Sequence, residues 1–191
     1  AGGGDEYAGR VATYVRILRS DGFGVDLVLN FLSSQSQMDA LILKEIKDAL
    51  DARNMVLHNA VVVAHAYMAA GTTNTAFLRE HLEWMGKASN WAKFAATASI
   101  GVVHAGHVKQ SMALLQPYLP SGGLSTSPYS EGGALYGLGL IHANRSGGGA
   151  SATVSYLSDA LRNAGNDETV QHGACLGLGL AAMATGSAAL Y

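Results

Sequence analysis

The sequence predicts an all-α fold, an α-solenoid of stacked antiparallel helix pairs forming a curved arc. Three observations carry that prediction. Apolar residues recur at offsets of three and four along most of the 191 residues, strand-like alternation is scarce, and a segment of small residues occurs four times at intervals typical of helical arrays.

The chain opens on AGGGDEY, which has neither the basic nor the apolar region of a signal peptide and reads as a loop remnant or a trimmed boundary. EYAGRVATYVRILRS then places Tyr7, Val11, Tyr14, Val15 and Leu18 along one helical face. VDLVLNFLSS is a second, shorter helix, and MDALILKEIKDALDA, which carries Leu41, Ile42, Glu45, Ile46 and Leu50, is a third, with Asp39 in its first turn. Residues 1–53 are thus expected to be helices leading into the array. VLHNAVVVAHAYMAAG is nearly all apolar or small and stops at Gly71. Its run Val61–Val63 would suit a buried strand, but alanine-rich flanks and a length above ten residues favour helix. TNTAFLREHLEWMGK is amphipathic again, with Phe77, Leu78, Leu82 and Met85 on one side.

The repeat is visible when NAVVVAHAYMAAG, FAATASIGVVHAG, GGALYGLGLIHAN and HGACLGLGLAAMATG are aligned on Ala60, Ala95, Gly133 and Gly173, which are 35, 38 and 40 residues apart. Amphipathic stretches separate them: AFLREHLEWM, KQSMALLQPYL and ATVSYLSDALRN. The unit is a pair of helices, one rich in small residues and one ordinary, and the repeats span 54–88, 90–119, 130–163 and 168–191 as one continuous solenoid over 54–191.

The glycines are costly unless packing requires them. A glycine inside a helix loses roughly 1 kcal/mol against alanine, yet GALYGLGL and GACLGLGL carry three each. Strips without side chains let helix axes approach closer than the usual 8–10 Å or so. Ala134, Gly137 and Gly139, then Ala174, Gly177 and Gly179, are expected to supply such strips, with Ala96, Ala98 and Gly101 a weaker version one repeat before. Small-residue helices gathered on one side would bend the stack toward that side.

Composition excludes several functions. Twelve basic and fourteen acidic residues give a formal charge of −2, which offers no electrostatic footprint for nucleic acid or an anionic membrane. Charged residues are 14% of the chain, against about 25% in ordinary domains, which implies either a large core or a surface that belongs in good part to a partner or to a missing part of the same protein. No run reaches eighteen apolar residues, so no membrane span is expected. Cys175 is the one cysteine, which excludes an internal disulfide.

The stretches NWAKFAATASIGVVHAGH, EGGALYGLGLIHAN and QHGACLGLGLAAM resemble the proteasome/cyclosome repeat family. The resemblance runs from about Val25 to Met183 and covers most of the chain, which is expected to be a fragment of a longer protein. It implies an arc of a closed toroid of paired helices and a non-catalytic scaffold in the base of the proteasome regulatory particle. The implied partners are the ATPase ring, the lid and ubiquitin receptors, in cytoplasm and nucleus, in the service of ubiquitin-dependent protein degradation. The alternative it leaves open is a surface that itself binds ubiquitin or a ubiquitin-like domain.

Chemical motifs weigh little beside this. His172 and Cys175 have the spacing of a base and a thiol on one helix face, but no third group orients them and an apolar helix disfavours the thiolate. A structural cysteine is the expectation. His104 and His107 form HxxH, and His142 falls at the position of His104 one repeat on; metal would need further ligands and a polar surround, so these histidines are expected to bond loose helix-end carbonyls. Gly137–Leu138–Gly139 lacks the third glycine and preceding strand of a dinucleotide fingerprint, and Gly147–Gly149 lacks the residues of a phosphate loop. Asn144–Arg145–Ser146 is a formal glycosylation acceptor without meaning outside the secretory route. Trp84 and Trp91 are expected to wedge between repeats, and Arg79, Glu80, Glu83, Asp159 and Arg162 to be solvated charges. No catalytic, cofactor-binding or metal-binding residue is assigned, and no cofactor is expected.

Overall fold

In the computed structural model, residues 3–19, 23–35, 38–50, 54–120, 127–143, 148–183, 185–188 and 190 are described. Among them every regular element is a helix: α1 (Gly3–Arg19), α2 (Phe23–Ser34), α3 (Ala40–Ala49), α4 (Met55–Met68), α5 (Ala76–Glu80), α6 (Leu82–Met85), α7 (Asn90–Val103), α8 (Ser111–Leu115), α9 (Pro128–His142), α10 (Gly148–Asn163) and α11 (Glu168–Ala181). Short 3₁₀ turns, Val108–Gln110 and Gln116–Tyr118, flank α8. The segment Val61–Val63 lies inside α4 and is helical, as its flanks imply.

Helix starts follow local chemistry. Asp39 is the cap itself rather than part of the first turn, its carboxylate accepting from the amides of Leu41 (2.9 Å) and Ile42 (3.3 Å). Asn54 caps α4 through the Leu57 amide, and Asp167 caps α11 through Thr169 and Val170. Each such bond satisfies an amide that the helix leaves unpaired.

The small-residue helices α4, α7, α9 and α11 lie side by side in that order, and α3, α8 and α10 pack beside them. The main core fills the space between the two sets: Leu115 and Leu119 from the α8 segment, Leu135, Leu138 and Ile141 from α9, Leu157 from α10, and Val170 and Ala174 from α11. A second core joins Leu43 of α3, Val61 of α4, and Phe77 and Leu78 of α5.

Two of the amphipathic stretches are shorter than their pattern predicts. TNTAFLREHLEWMGK breaks at His81, whose backbone (φ −124°, ψ 33°) leaves the helical region and separates α5 from α6 while its ring turns edge-on to Phe77. KQSMALLQPYL yields one turn and a half of α-helix because Pro117 has no amide to continue the ladder. Register is set by the inner helices, so these outer ones tolerate interruption.

The inner helices touch through their backbones. A methyl group placed on Gly139 would lie 2.5 Å from Cα and 2.6 Å from the carbonyl O of Gly177. One on Gly177 would lie 2.5 Å from the Leu135 carbonyl, and one on Gly173 would strike the backbone of Gly132. The same holds one repeat before: a methyl on Gly101 would sit 2.6 Å from Gly137 Cα, and one on Gly133 would strike the Phe94 carbonyl. The α7–α9 contact is therefore as tight as the α9–α11 contact, not weaker. Gly137 is itself the floor that Gly101 meets, and its own methyl would find ordinary contact, 3.5 Å from Leu115 Cδ1 and 3.7 Å from Ala98 Cα.

Gly179 departs from the expectation. It is exposed, and nothing lies within 4 Å of where its side chain would be. By the 38- and 40-residue offsets it is the counterpart of Gly101 and Gly139, so it occupies the following edge of α11, on which none of the described helices is seated.

Turns between layers add a second link. Gly71 (φ 68°) and Gly106 (φ 82°), 35 residues apart, take the left-handed conformation after α4 and α7. Each then donates its amide to the end of the next inner helix, Gly71 to Val102 O (3.1 Å) and Gly106 to Ile141 O (3.0 Å).

Three substitutions separate packing from propensity. Gly139→Ala should cost on the order of 1–3 kcal/mol despite its better helix propensity, because the α9 and α11 backbones must move apart, and Gly139→Leu should cost more. Gly179→Ala should instead raise stability by up to about 1 kcal/mol, as the space is open. Urea-unfolding midpoints of the three variants against wild type check both.

Candidate interaction surface

Because the outer helices cover one face of the inner layer, the other face carries what this surface can do. A groove of about 320 Å³ runs over α4, α7 and α9, and its walls are Val63 and Tyr67, Ala95, Ala98 and Val102, and Tyr136 and Leu140. No described residue of the outer helices lines it. Tyr67 stands 72% exposed at its rim.

Beside the groove an aromatic cluster ties three inner helices together at their N-terminal ends. The Trp91 ring of α7 meets Tyr129 of α9 at 5.5 Å and His172 of α11 at 5.4 Å, both nearly edge-to-face. Phe94 stacks on Tyr136 at 6.1 Å and lies 5.8 Å from His172. Such pairs contribute about 0.5–1.5 kcal/mol each beyond buried area. Trp91 is a wedge as expected, yet 52% of it remains exposed. Trp84 is more enclosed, but its ring is set against His58 and Phe77 inside its own repeat and not between repeats, contrary to the expectation. Trp91 and Tyr129 occupy one register position, 38 residues apart; that shared position was the available sequence signal for a cluster which sequence reasoning did not assemble.

The chemical candidates do not converge. Cys175 is exposed, contrary to a cysteine packed into its helix interface, and His172 turns its ring onto Trp91 and Phe94. The histidines near helix ends serve three different purposes. His107 donates from Nε2 to the Gly71 carbonyl (3.0 Å), as expected of a helix-end histidine. His142 is buried and its Nε2 meets hydroxyls instead, Ser111 Oγ at 3.0 Å and Thr153 Oγ1 at 3.2 Å, which ties α9 to both α8 and α10. His104 is half-buried with its Nε2 unpartnered; burial, then the positive charges of His107 and Arg79, hold its pKa below the usual imidazole range. Among the described residues no three metal-ligating side chains come together.

The charged positions behave as solvated faces. Asp159 and Arg162 pair at 3.3 Å with both side chains well exposed, a geometry that contributes little. Arg79, Glu80 and Glu83 line a polar depression with Lys47, His81 and Lys87, where both signs of charge alternate. Glu131 has its pKa raised by burial and by the nearby Asp167. Gly137–Leu138–Gly139 is buried within α9, while Asn144–Ser146 and Gly147 lie outside the described residues, and Gly148 and Gly149 open α10. No described helix is long and apolar enough to cross a membrane.

Comparison with known proteins places this architecture. The proteasome/cyclosome repeat family model matches residues 95–126, which include most of α7 and the whole of α8. The chain is 50% identical over 187 residues to the 26S proteasome non-ATPase regulatory subunit 1 homolog A of Arabidopsis thaliana, covering 97% of the chain and 18% of that relative. It is 50% identical over 167 residues to the 26S proteasome non-ATPase regulatory subunit 1 of Drosophila melanogaster (87% of the chain, 16% of the relative). It is 48% identical over 162 residues to the 26S proteasome regulatory subunit rpn2 of Schizosaccharomyces pombe (84% and 16%). The chain thus spans less than a fifth of the length of these relatives. With its four aligned small-residue segments stacked as inner helices and its sequence matched along nearly its whole length, the chain belongs to the proteasome/cyclosome repeat family.

Proposed function

We propose that this chain is a scaffold segment of a proteasome regulatory-particle subunit, and that it acts by holding protein surfaces at fixed spacing rather than by catalysis. The observation that carries the reading is the backbone contact of α7, α9 and α11 within a stretch 50% identical to non-ATPase regulatory subunits. Helices in contact through glycine cannot shear or rotate without collision, so the stack transmits position from one repeat to the next. Its neighbours would be other regulatory-particle subunits, namely the ATPase ring, the lid and ubiquitin receptors, working in ubiquitin-dependent degradation in cytoplasm and nucleus. The 14% charge and the exposed apolar groove suit a surface that is covered in an assembly. A second reading, a docking face for ubiquitin or a ubiquitin-like domain, draws on the same groove with its exposed Tyr67.

The test uses the full polypeptide that carries this stretch, tagged in its own cells. With Gly139→Leu, purification through the tag should recover fewer partner subunits of the regulatory particle than wild type, quantified by mass spectrometry. Undiminished recovery by a variant shown to be destabilised would contradict the scaffold reading. Saturable shifts on titrating labelled ubiquitin with the 191-residue chain would favour the second reading. A hydrolase activity lost in Cys175→Ala would overturn the non-catalytic one.

A further inference from the structure

The buried face of α4 carries two histidines two turns apart, and the α5–α6 segment is seated on them. His65 has no exposed surface, and neither ring nitrogen has a hydrogen-bond partner. Its ring stacks on Phe77 of α5, with centroids 5.1 Å apart and planes 25° from parallel. Phe77 meets His81 edge-on at 4.8 Å, at the break between α5 and α6, and Trp84 of α6 at 6.4 Å. Trp84 closes the column on His58, whose Nε2 donates to the Trp84 carbonyl at 2.9 Å.

Among the described residues no charged side chain is paired with His65. The charged side chains of α3 are Lys44, Glu45, Lys47 and Asp48, and Lys47 is committed to Asp48 at 2.7 Å. On α7 the charged side chain is Lys93, with His104 just past the last turn. The outer segment brings Arg79, Glu80, His81 and Glu83, of which His81 is applied to Phe77 and the others line the polar depression. None of these forms a hydrogen bond or ion pair with His65 among the described residues, and burial alone moves its pKa, downward.

We propose that His65 makes the seat of α5 and α6 on α4 a proton-sensitive joint, closed while the imidazole is neutral and released when it takes a proton. A neutral ring can stay in an apolar stack, whereas an imidazolium there would hold two N–H donors away from water with no acceptor. Stacking a cation on the Phe77 face recovers part of that loss, but less than the hydration forfeited. The proton is therefore taken up by the opened form. Since His65 binds its proton less readily when folded, the joint has its full strength above the ordinary imidazole pKa of about 6.5 and weakens as pH falls below it toward the folded-state value. Within that window the closing equilibrium loses up to about tenfold per pH unit.

Hydrogen exchange of the 191-residue chain, corrected for intrinsic rates, tests this between pH 7.5 and about pH 5.5. Protection of residues 76–85 should fall with pH while that of 168–181 holds, and His65→Leu should remove the pH dependence. Should His65→Leu not fold, nitrogen-resolved NMR of the wild-type imidazole replaces it: the ring should stay neutral below pH 6.5 or so and take its proton in step with opening of 76–85. Protection of 76–85 that is flat with pH, an unchanged pH response in folded His65→Leu, or a ring titrating at its ordinary value with the segment closed would each overturn the proposal.

Discussion

Contact between bare backbones is the constraint from which the rest of this stack follows. The α9 helix is pressed from both sides, with Gly133 and Gly137 turned to α7 and Gly132 and Gly139 turned to α11. A side chain on any edge glycine whose methyl would fall on backbone must force helices apart, because main chain cannot rotate away as a side chain can. Four glycines in one helix lower its intrinsic propensity by several kcal/mol, at roughly 1 kcal/mol each. Such a helix exists only because its neighbours exist, and tertiary packing rather than local preference supplies its stability.

That dependence divides labour between the layers. The inner helices carry register and are nearly continuous, while the outer ones fill volume and are interrupted at His81 and Pro117 without disturbing the stack. Leu115, Leu138, Ile141 and Leu157 then seal the space between the layers. Links along the array come from main chain as well: the left-handed turns at Gly71 and Gly106 each donate to the following inner helix, and His107 adds a bond back to Gly71. His142 bridges the layers through Ser111 and Thr153. One motif, a histidine near the end of a small-residue helix, thus meets different needs in successive repeats.

The composition acquires a physical reading from the same geometry. A layer of helices packed on one side only has a second face, and here that face is the groove of Tyr67, Ala98, Tyr136 and Leu140. Apolar side chains also stand free on the N-terminal helices, with Leu18 85% exposed and Val56 at the start of α4 79% exposed. A chain with 14% charged residues has little with which to screen such surfaces.

Much of the architecture was legible in the sequence, since periodicity and repetition are one-dimensional signals. The helical offsets, the 35- to 40-residue recurrence and the improbable glycines of GALYGLGL and GACLGLGL by themselves call for an inner layer of closely packed helices. The roles of individual residues were not legible, because they depend on which edge of a helix has a neighbour. Gly139 and Gly179 occupy the same place in the same motif, yet one touches backbone and the other open space. His104 and His142 share a register position, yet one is half-buried with an unpartnered nitrogen and the other is held by two hydroxyls. Cys175 lies in an apolar helix but faces outward. The sequence by itself determined the kind of helix at each step, and only the tertiary structure decided what each strip meets, because burial belongs to pairs of surfaces and a single chain pattern specifies one member of each pair.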